Sequence, residues 1–350
     1  MAQADLHADA VLAAEADRAL EVTLLMRAPQ ERSYSIEAVF GAVAEHLPSD
    51  MRAEVVTSPY PSRGIWKRLR AALHAWRAAR GADVVHVTGD THFMACFAPR
   101  RRTILTIHDC TFLERATGLR RAVLWFFWIR LPIWRAAVVT VVSEASKAQL
   151  ARWVRLDPAR VVVIENPLPR AMSPAEKAFT ERPRLLMLGT GPHKNIERVA
   201  EALSGLPVEL EVIGRLSTER LARLGAHVSV SSRHDLPDDA LAEAYARSDI
   251  LMFPSLVEGF GLPILEAQAV GRPVVTSDRA PMRDVAGDGA LLVDPEDPAA
   301  LRGAVMRLMA EPDLRARLVA AGFANLQRFR PERIAARYAQ LYRDVWEATR

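Results

Sequence analysis

Short apolar runs alternate along the chain with longer stretches in which apolar positions recur every three or four residues, the rhythm of parallel strands flanked by amphipathic helices. The pattern predicts first-half strands at 21–26, 54–57, 84–87, 103–107, 138–142 and 161–164, where Val, Ile and Thr favour extended backbone. A polar stretch at 165–184, carrying Pro167, Pro169, Pro174 and Pro183, breaks the rhythm and reads as an exposed connection between domains. It then restarts, with strands expected at 184–188, 209–213, 227–230, 250–253, 273–276 and 290–293. The fold class is α/β with two parallel-sheet units. Open parallel sheets bind ligands beyond the carboxyl ends of their strands, so two facing sheets put a site in the cleft between them.

Composition agrees. A chain of 350 residues, 50% hydrophobic and 25% charged, has the length and apolar content for two buried cores. The only cysteines, Cys96 and Cys110, form no Cys-x-x-Cys motif, which argues against a disulfide framework or zinc site and fits a reducing cytoplasm. Residues 1–20 lack the basic start and apolar block of a secretory signal, and AVLWFFWI at 122–129 is far shorter than the roughly 20 apolar residues of a spanning helix, so no transmembrane segment is expected.

Chemistry concentrates in SLVEGFGLPILEAQAVGRPVVTSD at 255–278, where Glu258 and Glu266, with seven residues between them, bracket an expected helix start. Pro263 suits the first helical position, which places Glu266 in the first turn, and the glycine-rich EGFGL loop offers backbone donors to a bound sugar or anion. The segment LLMLGTGPHKNIERVAEAL at 185–203 reads as strand, glycine turn and helix, with the cation Lys194 near the helix start. His108 and Asp109 follow the strand at 103–107 directly.

This arrangement resembles glycosyltransferase family 4. The resemblance is strong at 185–300 and looser at 1–180, and implies the GT-B architecture: two Rossmann-like parallel-sheet domains facing across a cleft. Residues 1–170 would bind acceptor and 171–330 the nucleotide sugar, with a final helix at 331–350 returning to the first domain. By the same resemblance Glu258 would touch the hydroxyls of the transferred sugar and Glu266 the ribose. Backbone at Gly259, Phe260, Gly261 and Leu262 would hold sugar and diphosphate, and His108 would line the donor. The chain departs from the family pattern where an arginine commonly follows the glycine of the 184–188 strand. Here Gly189 is followed by Thr190, leaving Arg215 or His193 to compensate at the nucleotide-binding end. The usual glycine-rich loop after the first strand is also replaced, by Ser33, Tyr34 and Ser35, which either shape an acceptor site or cap a helix. Asp90 and His92 are candidate acceptor contacts or simple turn residues.

The expected activity is transfer of a hexose, with retention, from a nucleotide-diphosphate sugar to a saccharide or lipid-linked saccharide in surface polysaccharide assembly. GDP-mannose is the working donor. No metal or cofactor is expected, because Lys194 and helix dipoles take the place of a divalent ion. The rival readings are a nucleotide-sugar epimerase of the same fold, a glycosidase using Glu258 and Glu266 as its acid and nucleophile pair, and a non-catalytic nucleotide-sugar-binding subunit.

Charge refines the picture of partners. Residues 1–170 carry 23 Lys and Arg against 17 Asp and Glu, and 171–350 carry 23 against 25. On RGIWKRLRAALHAWRAAR at 63–80, Ile65, Trp66, Leu69, Leu73 and Trp76 form a stripe that either lies on anionic lipid or packs onto the sheet with snorkelling arginines. The aromatic run at 122–134 is expected in the core. No nucleic-acid module accompanies the basic half. These features fit a cytoplasmic protein with peripheral contact to the inner membrane face.

Overall fold

The computed structural model describes residues 18–28, 35–62 and 64–350, without the side chains of Ser35 and Ile65; Ser33, Tyr34 and most of the first twenty residues lie outside this description. Two six-stranded parallel sheets form its frame. The first contains β1 (Leu20–Met26), β2 (Met51–Thr57), β3 (Val84–Val87), β4 (Thr103–Ile107), β5 (Val138–Val141) and β6 (Val161–Val163), in the order β2-β1-β3-β4-β5-β6. The second contains β7 (Arg184–Leu188), β8 (Glu209–Ile213), β9 (Ser229–Arg233), β10 (Ile250–Phe253), β11 (Val274–Ser277) and β12 (Ala290–Val293), in the order β12-β11-β10-β7-β8-β9. Chain direction across each sheet reverses once, between β1 and β3 and between β7 and β10. Crevices open at such switch points because successive helices leave to opposite faces.

The expected strands form within a few residues of their predicted ends. β9 shifts most, from 227–230 to Ser229–Arg233, because this edge strand is polar and alternates exposed with half-buried positions.

The segment at 165–184 is not a free tether. Leu168, Met172 and Ala175 pack against the second sheet's core, Lys177 pairs with buried Asp249, and the Arg272 guanidinium donates to the Ala175 carbonyl at 2.8 Å. Helix Pro331–Glu347 crosses back to the first sheet and buries Ile334, Tyr338, Tyr342 and Val345 against Val22, Leu24 and Phe40.

Of two apolar stretches, one exposes a stripe whose packing the sequence left open, and the other departs from its expected place in the core. Helix Ile65–Ala78 faces the first core with Ala71, Ala72 and Ala75, continued by Ala79, and turns Trp66, Leu69, Leu73 and Trp76 to solvent, with Trp66 76% exposed. Small alanines let the helix approach the sheet closely, so the bulky stripe does not supply the packing. The run at 122–134 is likewise divided: Ile129 and Ile133 are buried, whereas Phe126, Phe127 and Trp134 are exposed.

One buried polar cluster joins the returning helix to the first sheet. His86 meets the Tyr342 hydroxyl through Nδ1 at 2.8 Å and Thr106 Oγ1 through Nε2 at 2.7 Å, and Thr106 continues to Thr140 at 2.6 Å. Burial, reinforced by nearby His108, pushes the His86 imidazole down to a pKa of about 3. The unfolded chain therefore takes up a proton near pH 6.5 that the folded protein refuses until about pH 3, and folding free energy falls as pH drops through that window. The contribution is about 1.4 kcal/mol per pH unit. Urea midpoints for wild type and His86→Gln should accordingly converge as pH is lowered from 7 to about 4.5; a gap independent of pH would show that His86 is not held neutral.

Candidate active site in the interdomain cleft

The strand ends at the second sheet's switch point carry the two loops richest in candidate residues. β7 runs into Gly189 and the tight turn Pro192–Lys194; β10 runs into Pro254 and then Glu258. The loops meet in an ion pair, Lys194 Nζ to Glu258 Oε1 at 2.5 Å, with both side chains mostly buried. Lys194 also lies over the Phe253 ring, 4.6 Å from its centre. Gly189, at φ +84°, admits this path, since a methyl group there would stand 2.8 Å from Lys194 Cε.

The first domain closes the opposite side. His108 leaves β4 with its Nε2 2.9 Å from the Thr88 carbonyl. The second-domain backbone comes so near that a methyl group at Gly259 would sit 2.8 Å from the His108 carbonyl oxygen. The Ser143 hydroxyl donates to the Gly259 carbonyl at 2.9 Å and the Ser146 hydroxyl to the His108 carbonyl at 2.7 Å, with Ser146 Oγ also 3.1 Å from the Gly259 carbonyl. A cavity of about 650 Å³ opens beside this contact, with Asp90, His92, His108, Asp109, His193 and Glu258 among its lining residues. Burial, and then the Lys194 ammonium, hold His193 below the usual histidine range, and burial does the same for His92.

The Gly259–Leu262 loop offers chiefly its backbone. Phe260 turns into the core and packs edge-on against Phe329 at 5.9 Å, Gly261 turns the chain at φ +121°, and Leu262 begins the helix Leu262–Val270. That start is one residue earlier than the expected one at Pro263, so Glu266 falls beyond the first turn. It is 2% exposed, accepting from the Tyr245 hydroxyl and from Arg170 Nη1, each at 2.6 Å. Each carboxylate oxygen has a second lone pair. Glu266 thus lies in a different environment from cavity-lining Glu258, and the pair does not flank a common space as an acid and nucleophile must.

The two substitutes for the missing arginine part company. Arg215 is 58% exposed on its side chain and pairs with Asp235 at 2.8 Å, away from the cavity, whereas His193 lines it and meets Arg115 of the first domain at 3.3 Å. Thr190 offers its carbonyl to Arg220 Nη1 at 2.6 Å, and that guanidinium is held by Glu197 at 2.6 and 3.0 Å. Asp90 is paired with Arg27, and His92 Nδ1 meets the Trp128 carbonyl at 2.9 Å. Sequence reasoning did not find Arg170, Tyr245, Arg220, Ser143 or Ser146, whose places arise from contacts over 21 to 116 residues of chain.

Two facing parallel sheets with an anion-compatible, carboxylate-bearing cleft define a GT-B type of protein. The model described as glycosyl transferases group 1 matches residues 170–324 and that described as Glycosyltransferase Family 4 matches residues 7–170, and the chain belongs to this family. It is 26% identical over 221 residues to the O-antigen chain mannosyltransferase RfbU of Salmonella typhimurium, and 29% identical over 237 residues to O-antigen chain mannosyltransferase B of Escherichia coli. Those alignments cover 61% and 59% of this chain and span 62% and 61% of the relatives' length. Among solved structures, Anabaena HepE in complex with UDP-glucose superposes with a TM-score of 0.73 at 15% identity, covering 93% of this chain and all of that one. The sucrose-phosphate synthase of Thermosynechococcus elongatus does so with a TM-score of 0.71 at 20% identity, covering 94% of this chain and all of that one.

The contact at Gly259 is testable by itself. Gly259→Ala places a methyl group against backbone and forces the domains apart locally. The expected result is a stability loss of about 1–3 kcal/mol together with faster proteolysis between the domains; unchanged stability and cleavage would mean that the domains do not meet there in solution.

Proposed function

We infer that the protein transfers a hexose from a nucleotide-diphosphate sugar to an acceptor hydroxyl with retention of configuration. The observation that carries this reading is the Lys194–Glu258 pair at the second sheet's switch point, facing His108 across the cavity. A carboxylate beside a fixed ammonium suits a donor whose hydroxyls would donate to Glu258 while its phosphate oxygens would accept from Lys194. Backbone at Gly189, Thr190, Gly259 and Gly261 would approach the diphosphate and sugar closely, because no side chain intervenes at the glycines. Glu266 would reach a ribose hydroxyl through a free lone pair while remaining bound to Tyr245 and Arg170.

As the glycosidic bond breaks, negative charge accumulates on the departing phosphate. An ammonium preset at that point stabilises the transition state more than the ground state. The leaving phosphate oxygen then takes the acceptor proton on the same face, so Glu258 positions the sugar and does not attack it. With Lys194 supplying the positive charge, the reaction needs no divalent ion. The mannosyltransferases among the relatives support mannose as the sugar, and GDP is the carrier proposed with it. The setting is synthesis of a surface polysaccharide or glycolipid.

The exposed apolar and basic face of the first domain supports peripheral attachment to the cytoplasmic leaflet. Trp66, Leu69, Leu73 and Trp76 are flanked by Lys67, Arg70, Arg77 and Arg80, and Leu119, 82% exposed, lies near Phe126 and Phe127 in the chain. Among the described residues no helix is long and apolar enough to cross a membrane. Aromatic rings at the headgroup boundary, surrounded by cations, favour anionic lipid.

Three measurements test this reading. Glu258→Ala and Lys194→Ala should each lower kcat by about 10²–10³ without unfolding the protein; near-wild-type turnover in either variant removes that residue from the site. Transfer should persist in excess chelator, and loss reversed by added Mg²⁺ would require a metal. Product analysis with a panel of nucleotide sugars should show an acceptor-dependent glycoside, whereas donor isomerised without acceptor would indicate an epimerase. On the membrane side, Trp66→Ala with Phe127→Ala should weaken flotation with phosphatidylglycerol vesicles by about tenfold, and equal flotation of wild type and variant would place another surface against lipid.

A further inference from the structure

The first-domain wall of the cavity carries three cations that the donor chemistry leaves unused: Arg68, Arg115 and Arg120. The carboxylates around them are engaged. Asp90 is paired with Arg27, Glu258 with Lys194, and Asp109 Oδ1 accepts from the Thr111 N–H at 2.8 Å. None of the three arginines has a carboxylate within ion-pair distance among the described residues. Arg115 reaches His193, and Arg68 Nη2 reaches only the Ser62 carbonyl at 3.2 Å.

Arg68 is the most informative of them. Its guanidinium lies over the Trp128 ring, 4.5 Å from the centre, and its Nε is buried without a hydrogen-bond partner. The stacking on Trp128 fixes the guanidinium plane at the cavity wall, so its Nη groups are the donors a ligand can meet. Trp128 is placed by a single π-helical turn, Trp125–Arg130, a distortion common at functional sites. Its indole N–H donates to the Asp90 carbonyl at 3.2 Å, and its ring packs near Phe93 at 5.4 Å, which fixes the plate beneath Arg68.

We propose that Arg68, Arg115 and Arg120 form an anion subsite in the acceptor half of the cleft, and that the acceptor bears a phosphate ester which docks there. Planar guanidinium groups bind phosphate oxygens in pairs, which orients the acceptor as well as holding it. The subsite rests on the glycosyltransferase reading for its role, because it names the acceptor of that same cleft. The segment that supplies Leu124 and Trp128 to the cavity carries Val123, Phe126 and Phe127 on its exposed side. A phosphate attached to a lipid and a phosphate on a soluble sugar share this chemistry, and binding distinguishes them.

The test is calorimetric titration of the full chain, with GDP or UDP present in excess to occupy the donor half. The probes are glucose 1-phosphate, glucose, and geranyl phosphate and geraniol in detergent. Each phosphate compound should bind at least about tenfold more tightly than its neutral counterpart, and Arg68→Gln with Arg120→Gln should abolish that preference. Arg115→Gln with Arg120→Gln, which alters only exposed side chains and leaves the core intact, should reduce it in the same direction. Tighter binding of geranyl phosphate assigns a lipid-linked acceptor, and tighter binding of glucose 1-phosphate a soluble one. Equal binding of charged and neutral probes, or a preference that survives both double variants, overturns the proposal. Hydrolysis of nucleotide sugars by the wild-type samples separates the two readings: no donor turnover alongside arginine-dependent phosphate binding defeats the transferase assignment and leaves the subsite standing.

Discussion

The site depends on one close approach, that of the Gly259 backbone to the end of β4. The Ser143 hydroxyl binds the Gly259 carbonyl, Ser146 lies between that carbonyl and that of His108, and the missing side chain lets the loop reach the first domain. The same loop carries Glu258 one residue earlier. A contact made entirely of backbone and short hydroxyls therefore sets the distance between the carboxylate–ammonium pair and His108.

Around that contact the two domains are joined at both ends of the second. The 165–184 segment is bound down onto the second sheet through Arg170, Lys177 and Ala175, and helix Pro331–Glu347 closes onto the first sheet through the His86–Tyr342 cluster. Near the crossing points, the Leu168 N–H donates to the Phe329 carbonyl at 2.9 Å, and Arg328 pairs with Glu165 at 3.2 Å. The crossings also meet the Gly259 loop, since Phe329 packs edge-on against Phe260 at 5.9 Å.

The electrostatic design divides the cleft. On the second-domain wall a single ammonium is matched with a single carboxylate. On the first-domain wall, arginines outnumber their partners, and an aromatic plate built on a π-helical turn supports one of them. The excess of positive charge seen in residues 1–170 is therefore not only a surface property. Part of it is delivered to the cavity, and part surrounds the exposed tryptophans of helix Ile65–Ala78.

The sequence by itself determined the strands, the parallel alternation and the two loops that bear Lys194 and Glu258, because local periodicity and turn chemistry are written in neighbouring residues. It did not determine which face of helix Ile65–Ala78 is buried: a bulky stripe and an alanine stripe share one helical period, and only the space left above the sheet selects between them. Nor did it show that Glu266 would be enclosed by Tyr245 and Arg170, that Arg215 would turn to Asp235, or that three arginines from separate segments would share one wall. Those pairings join residues distant in the chain, and burial and charge neutralisation at such contacts are properties of the assembled fold.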